Sequence, residues 1–344
     1  MSPTIAIEGR VIGGTTQPYV IAEIGVNHDG DVNRGRELVH AAREAGADAV
    51  KFQLFDADLL MSADGLLAAY QASHGATDPR AMLRELQLSP HAMAELCAEA
   101  RRFGLHPIVT VFSVQLVADA ERMHVAAYKS ASPDIVNRPL LEAMTATGRP
   151  LIVSTGAAEL DEVRRTAAWL TGRPVAWLQC VSSYPTPPEH ASLRGIADIA
   201  GATGGVVGYS DHTGDIDVGA LAVAAGAAIL EKHLTYDRRA RGPDHEASLD
   251  PRQFESYVRA VRRAAAIMGA GKHVLHIERD VRNVSRQSLV AARELKRGDR
   301  ISAADLTVKR PGSGIAPWRL DEIVGRTMAR DLGRDRVLTE DCVT

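Results

Sequence analysis

Two histidines, His212 and His233, stand just after the apolar runs GVVGYS and AAILEK. Comparable runs end on or near Glu23, Lys51 and Gln53, Thr110, Lys129 and Ser132, Ser154, Ser182 and Tyr184, and Ser210. An unpaired charge in such surroundings is expensive, so these polar side chains are either paired with one another or aimed at a ligand. Lysines supply charge and hydroxyls supply directed donors, a combination suited to an anion with many oxygens, such as one carrying both phosphate and carboxylate. The competing reading is internal: Lys51 and Lys129 pair with Glu23 or Glu231. Two imidazoles suit a divalent cation, and with few thiolates and many oxygens nearby Mn²⁺ or Mg²⁺ fits better than structural zinc. Against that stands the ordinary histidine, satisfied within the structure. No Walker loop and no GxGxxG competes for a phosphate.

The elements that must position these residues are short β-branched runs alternating with longer alanine-rich amphipathic segments, the pattern of repeated βα units. Strands are expected at 19–24, 49–54, 106–111, 126–131, 150–155, 175–180, 205–210 and 227–232. Helices are expected at 33–45, 90–103, 138–147, 159–171, 190–201, 215–225 and 252–268. Glycines such as Gly46, Gly104, Gly148, Gly172 and Gly226 follow many of them, where a C-terminal cap favours positive φ. Eight such units match an α/β (β/α)8 TIM barrel, whose active site lies at the C-terminal ends of the strands. The polar residues above stand at those ends, and His212 and His233 fall on neighbouring strands, 7 and 8. The barrel should occupy 1–268 and a linker 269–283, with a small β-rich module over 284–344 whose core is too small for a separate catalyst.

The chain has 344 residues, 45% apolar and 24% charged, with a formal net charge of -3. Acidic and basic residues are interspersed, so no basic face recommends nucleic acid or an anionic membrane as a partner. Cys97, Cys180 and Cys342 are far apart without a CxxC, which argues against structural zinc or a disulfide framework and fits a reducing cytoplasm. No apolar run approaches the roughly 20 residues of a spanning helix, and the N-terminus does not read as a secretion signal.

Six motifs are more specific: IAEIGVNHDGD (21–31), AGADAVKFQ (45–53), SYPTPPE (183–189), GYSDHT (208–213), EKHLTYD (231–237) and GPDHEASLDP (242–251). Together they resemble the N-acetylneuraminate (sialic acid) synthase family, and the run 286–317 looks like that family's SAF, or antifreeze-like, β-clip module. The resemblance implies a transferase in which carbon 3 of phosphoenolpyruvate attacks the aldehyde of an N-acetylmannosamine-type sugar, water adds at carbon 2 and phosphate leaves. It assigns Lys51, Thr110, Lys129, Ser132, Ser154, Ser182 and Ser210 to phosphoenolpyruvate, the set already collected from the strand ends. It assigns His212 and His233 to a divalent metal, Mn²⁺ first and Mg²⁺ or Co²⁺ as substitutes, which polarises the aldehyde. Glu23 would position or deprotonate a water near that metal. Gln53, Phe112, Asp134, Tyr184 and Asp244 would meet the sugar. Arg310, in VKRPG, would reach the N-acyl group from a neighbouring subunit, which implies a domain-exchanged homodimer.

Departures from the family pattern cluster on the sugar side. Ser132-Pro133-Asp134 stands where SGE is usual, giving a shorter carboxylate on a stiffer backbone. Thr110-Val111-Phe112-Ser113 replaces TPFD and loses a carboxylate, and Ser182 stands where some members carry asparagine. The acceptor is thus expected to be either N-acetylmannosamine or a 2,4-diacetamido-trideoxyhexose leading to legionaminate- or pseudaminate-type products. Two other readings compete. A 3-deoxy-ulosonate-type synthase would need a second basic pocket for a sugar phosphate. A non-catalytic carbohydrate-binding barrel would have lost part of the polar rim.

Overall fold

A computed structural model describes residues 3–62 and 78–344. The chain divides into two compact units, Met1–Ala270 and Gly271–Thr344. In the first, eight parallel strands close a barrel in which each pairs with the next in chain order and the last pairs with the first. They are β3 (Tyr19–Gly25), β4 (Ala49–Leu54), β5 (His106–Val111), β6 (Ala127–Ser130), β7 (Leu151–Ser154), β8 (Val175–Cys180), β9 (Val206–Asp211) and β10 (Ile229–His233). These lie within one or two residues of the expected runs.

Side chains alternate along each strand, and the inward-facing ones form layers. Tyr19, Ile21, Ala49, Ile108, Ala127, Ile152, Ala176 and Ile229 fill the lower interior with apolar volume. Moving up the strands, the inward positions turn polar: Glu23, Lys51, Thr110, Lys129, Ser154, Ser210 and Glu231 are all buried. A hairpin not anticipated from the sequence, β1 (Thr4–Ile7) with β2 (Arg10–Gly13), adds Ile5, Ile7 and Ile12 to the lower layer. It plugs the floor, so the polar layer meets solvent at the C-terminal end.

The helices pack their apolar faces on the outside of the barrel in a continuous core that includes Leu38, Leu96, Leu140, Val163, Ile196 and Phe254. Two differ from expectation. The helix expected over 190–201 runs Gly195–Thr203, because Ser192 takes a positive φ of 52° that breaks helical geometry before it. The helix expected over 215–225 runs Val218–Ala224, since Asp215 accepts a hydrogen bond from the Asp217 N–H and holds a turn there. Two further helices, Ala57–Leu60 and Pro79–Leu86, follow β4 and flank its end.

The stretch 269–283, expected as a linker, contains a 3-10 turn at His276–Glu278 and most of a helix at Arg279–Ser285, neither with a buried side chain. The second unit pairs β11 (Ser288–Ala291) antiparallel with β12 (Leu306–Lys309) around a small core of Leu289, Leu295, Ile301, Ile323, Met328 and Leu338. Among the described residues no helix is long and apolar enough to cross a membrane. Cys97, Cys180 and Cys342 are free and buried.

Candidate active site

A cleft of about 770 Å³ opens at the C-terminal end of the barrel. Its lining includes Lys51, Gln53, Thr110, Phe112, Lys129, Ser132, Asp134, Ser154, Ser182, Tyr184, Ser210, His212, His233 and Asp244. Of the residues singled out from the sequence, two stand outside this set. Arg310 belongs to the second unit, exposed just beyond β12. Glu23 is fully buried beneath the lining, where its carboxylate meets Lys51 Nζ at 2.7 Å and accepts from Gln53 Nε2 at 2.8 Å. Gly25 makes that packing possible: β3 bulges between Glu23 and Gly25, φ at Gly25 is 32°, and a Cβ there would lie 2.2 Å from Glu23 Oε1.

The lysines are engaged both with hydroxyls and with carboxylates. Lys51 Nζ donates to Thr110 Oγ1 at 3.0 Å, and Lys129 Nζ donates to Ser154 Oγ at 2.7 Å and the Ser130 carbonyl at 2.8 Å. Glu231 sits between them, 3.8 Å from each ammonium, and accepts from Ser210 Oγ at 2.7 Å. The internal pairing weighed from the sequence therefore exists alongside the open rim. Glu231 lines the cleft and Glu23, expected from the sequence near the metal, does not; the position of Glu231 two residues before His233 is the sequence signal for it.

Gly156 was also missed. Its N–H donates to Ser132 Oγ at 3.1 Å, and a Cβ there would fall 2.3 Å from Ser182 Oγ and 2.7 Å from Ser132 Oγ. Only a glycine lets these hydroxyls converge on the backbone, a cradle suited to anionic oxygens. Ser154-Thr155-Gly156 directly after β7 was the sequence signal.

Electrostatics separate the two carboxylates. Burial pushes Glu23 up to about 7 against the pull of Lys51, while the Lys129 and Lys51 ammoniums overcome burial at Glu231 and hold it below the usual carboxylate range. Burial depresses Lys129, whereas at Lys51 the Glu23 and Glu231 carboxylates overcome burial and raise it. Burial, helped by His212 and the nearby lysines, holds His233 well below its ordinary value, so its imidazole is neutral, the form that ligates metals.

The two imidazole rings lie 5.4 Å apart between centroids, with the Tyr184 ring 4.1 Å from that of His212. His212 Nδ1 meets the Val181 carbonyl at 2.8 Å, which fixes the ring and leaves Nε2 toward the cleft. His233 Nδ1 is buried without a hydrogen-bond partner, 3.6 Å from Asp244 Oδ2. An orphaned nitrogen beside a fixed imidazole fits a divalent ion. Among the described residues no group of three or more His, Cys, Asp or Glu side chains encloses a metal, so such an ion would need oxygens from substrate or water.

Another part of the lining is apolar. Val26, Phe55, Met82, Leu83, Leu86 and Phe112 form a small cluster of their own against the cleft, contributed by the ends of β3, β4 and β5 and the helix Pro79–Leu86. Asp134 also lines the cleft; burial raises it to about 6, and its Oδ2 has no hydrogen-bond partner.

A closed parallel barrel whose C-terminal mouth gathers a lysine–hydroxyl cradle and two histidines in one cleft has the architecture of a barrel enzyme. The chain belongs to the NeuB family, whose model matches residues 38–273, followed by a SAF domain over residues 286–344. It is 37% identical to the N,N'-diacetyllegionaminic acid synthase of Legionella pneumophila over 95% of this chain and 94% of that protein. It is 30% identical to the N-acetylneuraminate-9-phosphate synthase of Mus musculus over 97% of this chain and 95% of that one. The crystal structure of the N-acetylneuraminic acid (sialic acid) synthetase of Leptospira borgpetersenii in complex with citrate superposes with a TM-score of 0.75 at 30% identity, covering 82% of this chain and 95% of that one. These relatives are sugar-acid synthases, and the chain is a member of a family of enzymes.

Proposed function

We propose that this chain condenses phosphoenolpyruvate with the open-chain aldehyde of an N-acyl amino sugar, giving a nine-carbon sialic-acid-like 2-keto acid and phosphate. The observation that carries the reading is the cradle: Lys129 with Ser154 and Lys51 with Thr110, joined by Ser132, Gly156, Ser182 and Ser210, in the same cleft as His212 and His233. Phosphate and carboxylate together bring about three negative charges, while the two ammoniums are already offset in part by Glu231 and Glu23. A divalent cation would offset part of the remaining negative charge. His212 and His233 would hold it, and it would polarise the aldehyde as a Lewis acid.

The remaining work falls to the chain's own side chains. Carbon 3 of phosphoenolpyruvate attacks the aldehyde carbon, the oxygen of water bonds to carbon 2, and the C–O bond to phosphate breaks as the ketone forms. Water gives up its protons, and the new hydroxyl and the departing phosphate take them. Glu231, lining the cleft, oriented by Ser210 and set between the two cradle lysines, would be the carboxylate that handles them. Glu23 is sealed beneath and acts by holding Lys51 and Gln53.

Lys51 and Lys129 are the only lysine or arginine side chains among the described residues lining the cleft, and both belong to the cradle. This supports an acceptor without a phosphate of its own. N-acetylmannosamine is the reference acceptor. The second reading, a 2,4-diacetamido-trideoxyhexose, draws support from the apolar flank, which suits a methyl and acyl groups better than hydroxyls, and from the likeness to the Legionella protein. Arg310 would reach the acyl group from the SAF domain of a second copy, making a domain-exchanged homodimer working in a reducing cytoplasm.

Phosphate release from phosphoenolpyruvate, followed with a panel of acylated hexosamines and product mass, tests the proposal. Release is expected only with sugar and Mn²⁺ together, and His212→Ala or His233→Ala abolishes it. Release without sugar, or with a sugar phosphate but no free N-acyl sugar, overturns it.

A further inference from the structure

Between the catalytic side chains of β9 and β10, the alternate residues point the other way, into the layer between barrel and helices. There Asp211 and Lys232 are both fully buried, directly opposite one another in the β9–β10 register, with Lys232 Nζ 3.2 Å from Asp211 Oδ1. Asp211 Oδ1 also accepts from the Thr213 N–H at 2.9 Å and from Thr213 Oγ1 at 2.7 Å, and Lys232 Nζ donates to the Thr213 carbonyl. The ammonium lies 5.7 Å from the centre of the Tyr257 ring, on the helix Pro251–Met268.

A buried ion pair of this kind contributes little net stability, because desolvation of both charges offsets their attraction. What it does supply here is geometry. Residues 211 and 213 flank His212, and residue 232 precedes His233. The network thus ties the backbone on both sides of one histidine to the strand carrying the other. On the remaining sides, the Val181 carbonyl holds the His212 ring, and His233 is fixed through its own carbonyl, which accepts from the Leu249 N–H at 2.9 Å.

We propose that Asp211, Lys232 and Thr213 form a clip on the outer face of the barrel wall that sets the spacing of His212 and His233 for a divalent cation. They are positioning residues; none of them lines the cleft. The inference rests on the reading of the two histidines as metal ligands. It goes further by saying what makes two ligands on separate strands a site.

The experiment is Mn²⁺ binding to the full chain without substrates, by titration calorimetry and by loss of the free-Mn²⁺ electron paramagnetic resonance signal, beside thermal unfolding. Lys232→Met and Asp211→Asn are expected to weaken Mn²⁺ affinity roughly 10–100-fold, the range for partners that orient metal ligands. Turnover should recover at raised Mn²⁺ concentration. Phosphoenolpyruvate affinity in the absence of metal should stay unchanged. A merely structural role lowers the melting temperature and leaves Mn²⁺ affinity, measured well below it, where it was. Should the charge variants fail to fold, Thr213→Val, which removes one hydroxyl, carries the test: affinity falls, and Thr213→Ser restores it. Wild-type Mn²⁺ affinity in the clip variants, with affinity lost in His212→Ala, overturns the clip alone. Wild-type affinity in His212→Ala overturns the histidine reading and the clip with it.

Discussion

Replacing Glu23 by glutamine isolates the effect of a buried carboxyl whose ionisation the surrounding structure resists. Its side chain is fully buried, and burial lifts it from an ordinary 4.5 to about 7 despite Lys51 at 2.7 Å. A carboxyl raised in the folded state stabilises the fold while it is protonated there. That stability is present below 4.5 and is lost as pH rises through about 7. Between about pH 5.5 and about pH 8.5 the loss amounts to roughly 1.36 × (7 − 5.5), about 2 kcal/mol. For a unit of this size that is roughly 4 °C in melting temperature. Glu23→Gln keeps an oxygen for Gln53 Nε2 and Lys51 but carries no proton to lose. Its melting temperature should therefore gain about 4 °C on the wild type as pH is raised across that range. Turnover should fall at every pH, because the neutral amide holds Lys51 more weakly than the carboxylate does and no longer fixes its aim at Thr110 and the cradle. Scanning fluorimetry of both proteins across the pH range reads the first effect and phosphate release the second. Parallel melting curves, with the same difference at every pH, would refute the claim that Glu23 is ionised at a cost inside the barrel.

Two further outcomes follow from the same site. Lys129→Met should weaken phosphoenolpyruvate binding about 100-fold, since it removes a charge-assisted donor from the cradle; the acceptor KM should be unchanged, and calorimetry with initial rates separates the two. Asp134, raised to about 6 by burial, should give the acceptor's kcat/KM an acid limb that falls as pH drops through that value and vanishes in Asp134→Asn.

Much of this site is legible in one dimension because a barrel strand is a simple code. Side chains alternate and the strand ends face the mouth, so Lys51, Thr110, Lys129, Ser154, Ser210, His212 and His233 could be collected from short apolar runs alone. The hairpin Thr4–Ile7 and Arg10–Gly13 was not read, since two four-residue strands joined by Glu8-Gly9 carry too little periodicity to stand out. The apolar flank was not read either. Its members come from the ends of three strands and from the helix Pro79–Leu86, and nothing in their local sequence says that they meet.

The sequence by itself determined the order of the βα units, the positions of the strand ends and the residue types that ring the mouth. Those follow from local periodicity and from the cost of burying polar groups. Which carboxylate meets the cleft was decided only by the tertiary structure. Glu23 and Glu231 read alike in sequence, each inside a strand and close to its end. Closure of the barrel sets β3 beside β4 with a bulge at Gly25, which seals Glu23 under Gln53, and sets β10 beside β9, which leaves Glu231, though buried, lining the cleft with Ser210. The contacts that distinguish them join residues on different strands, and only the register of the closed sheet brings those residues together.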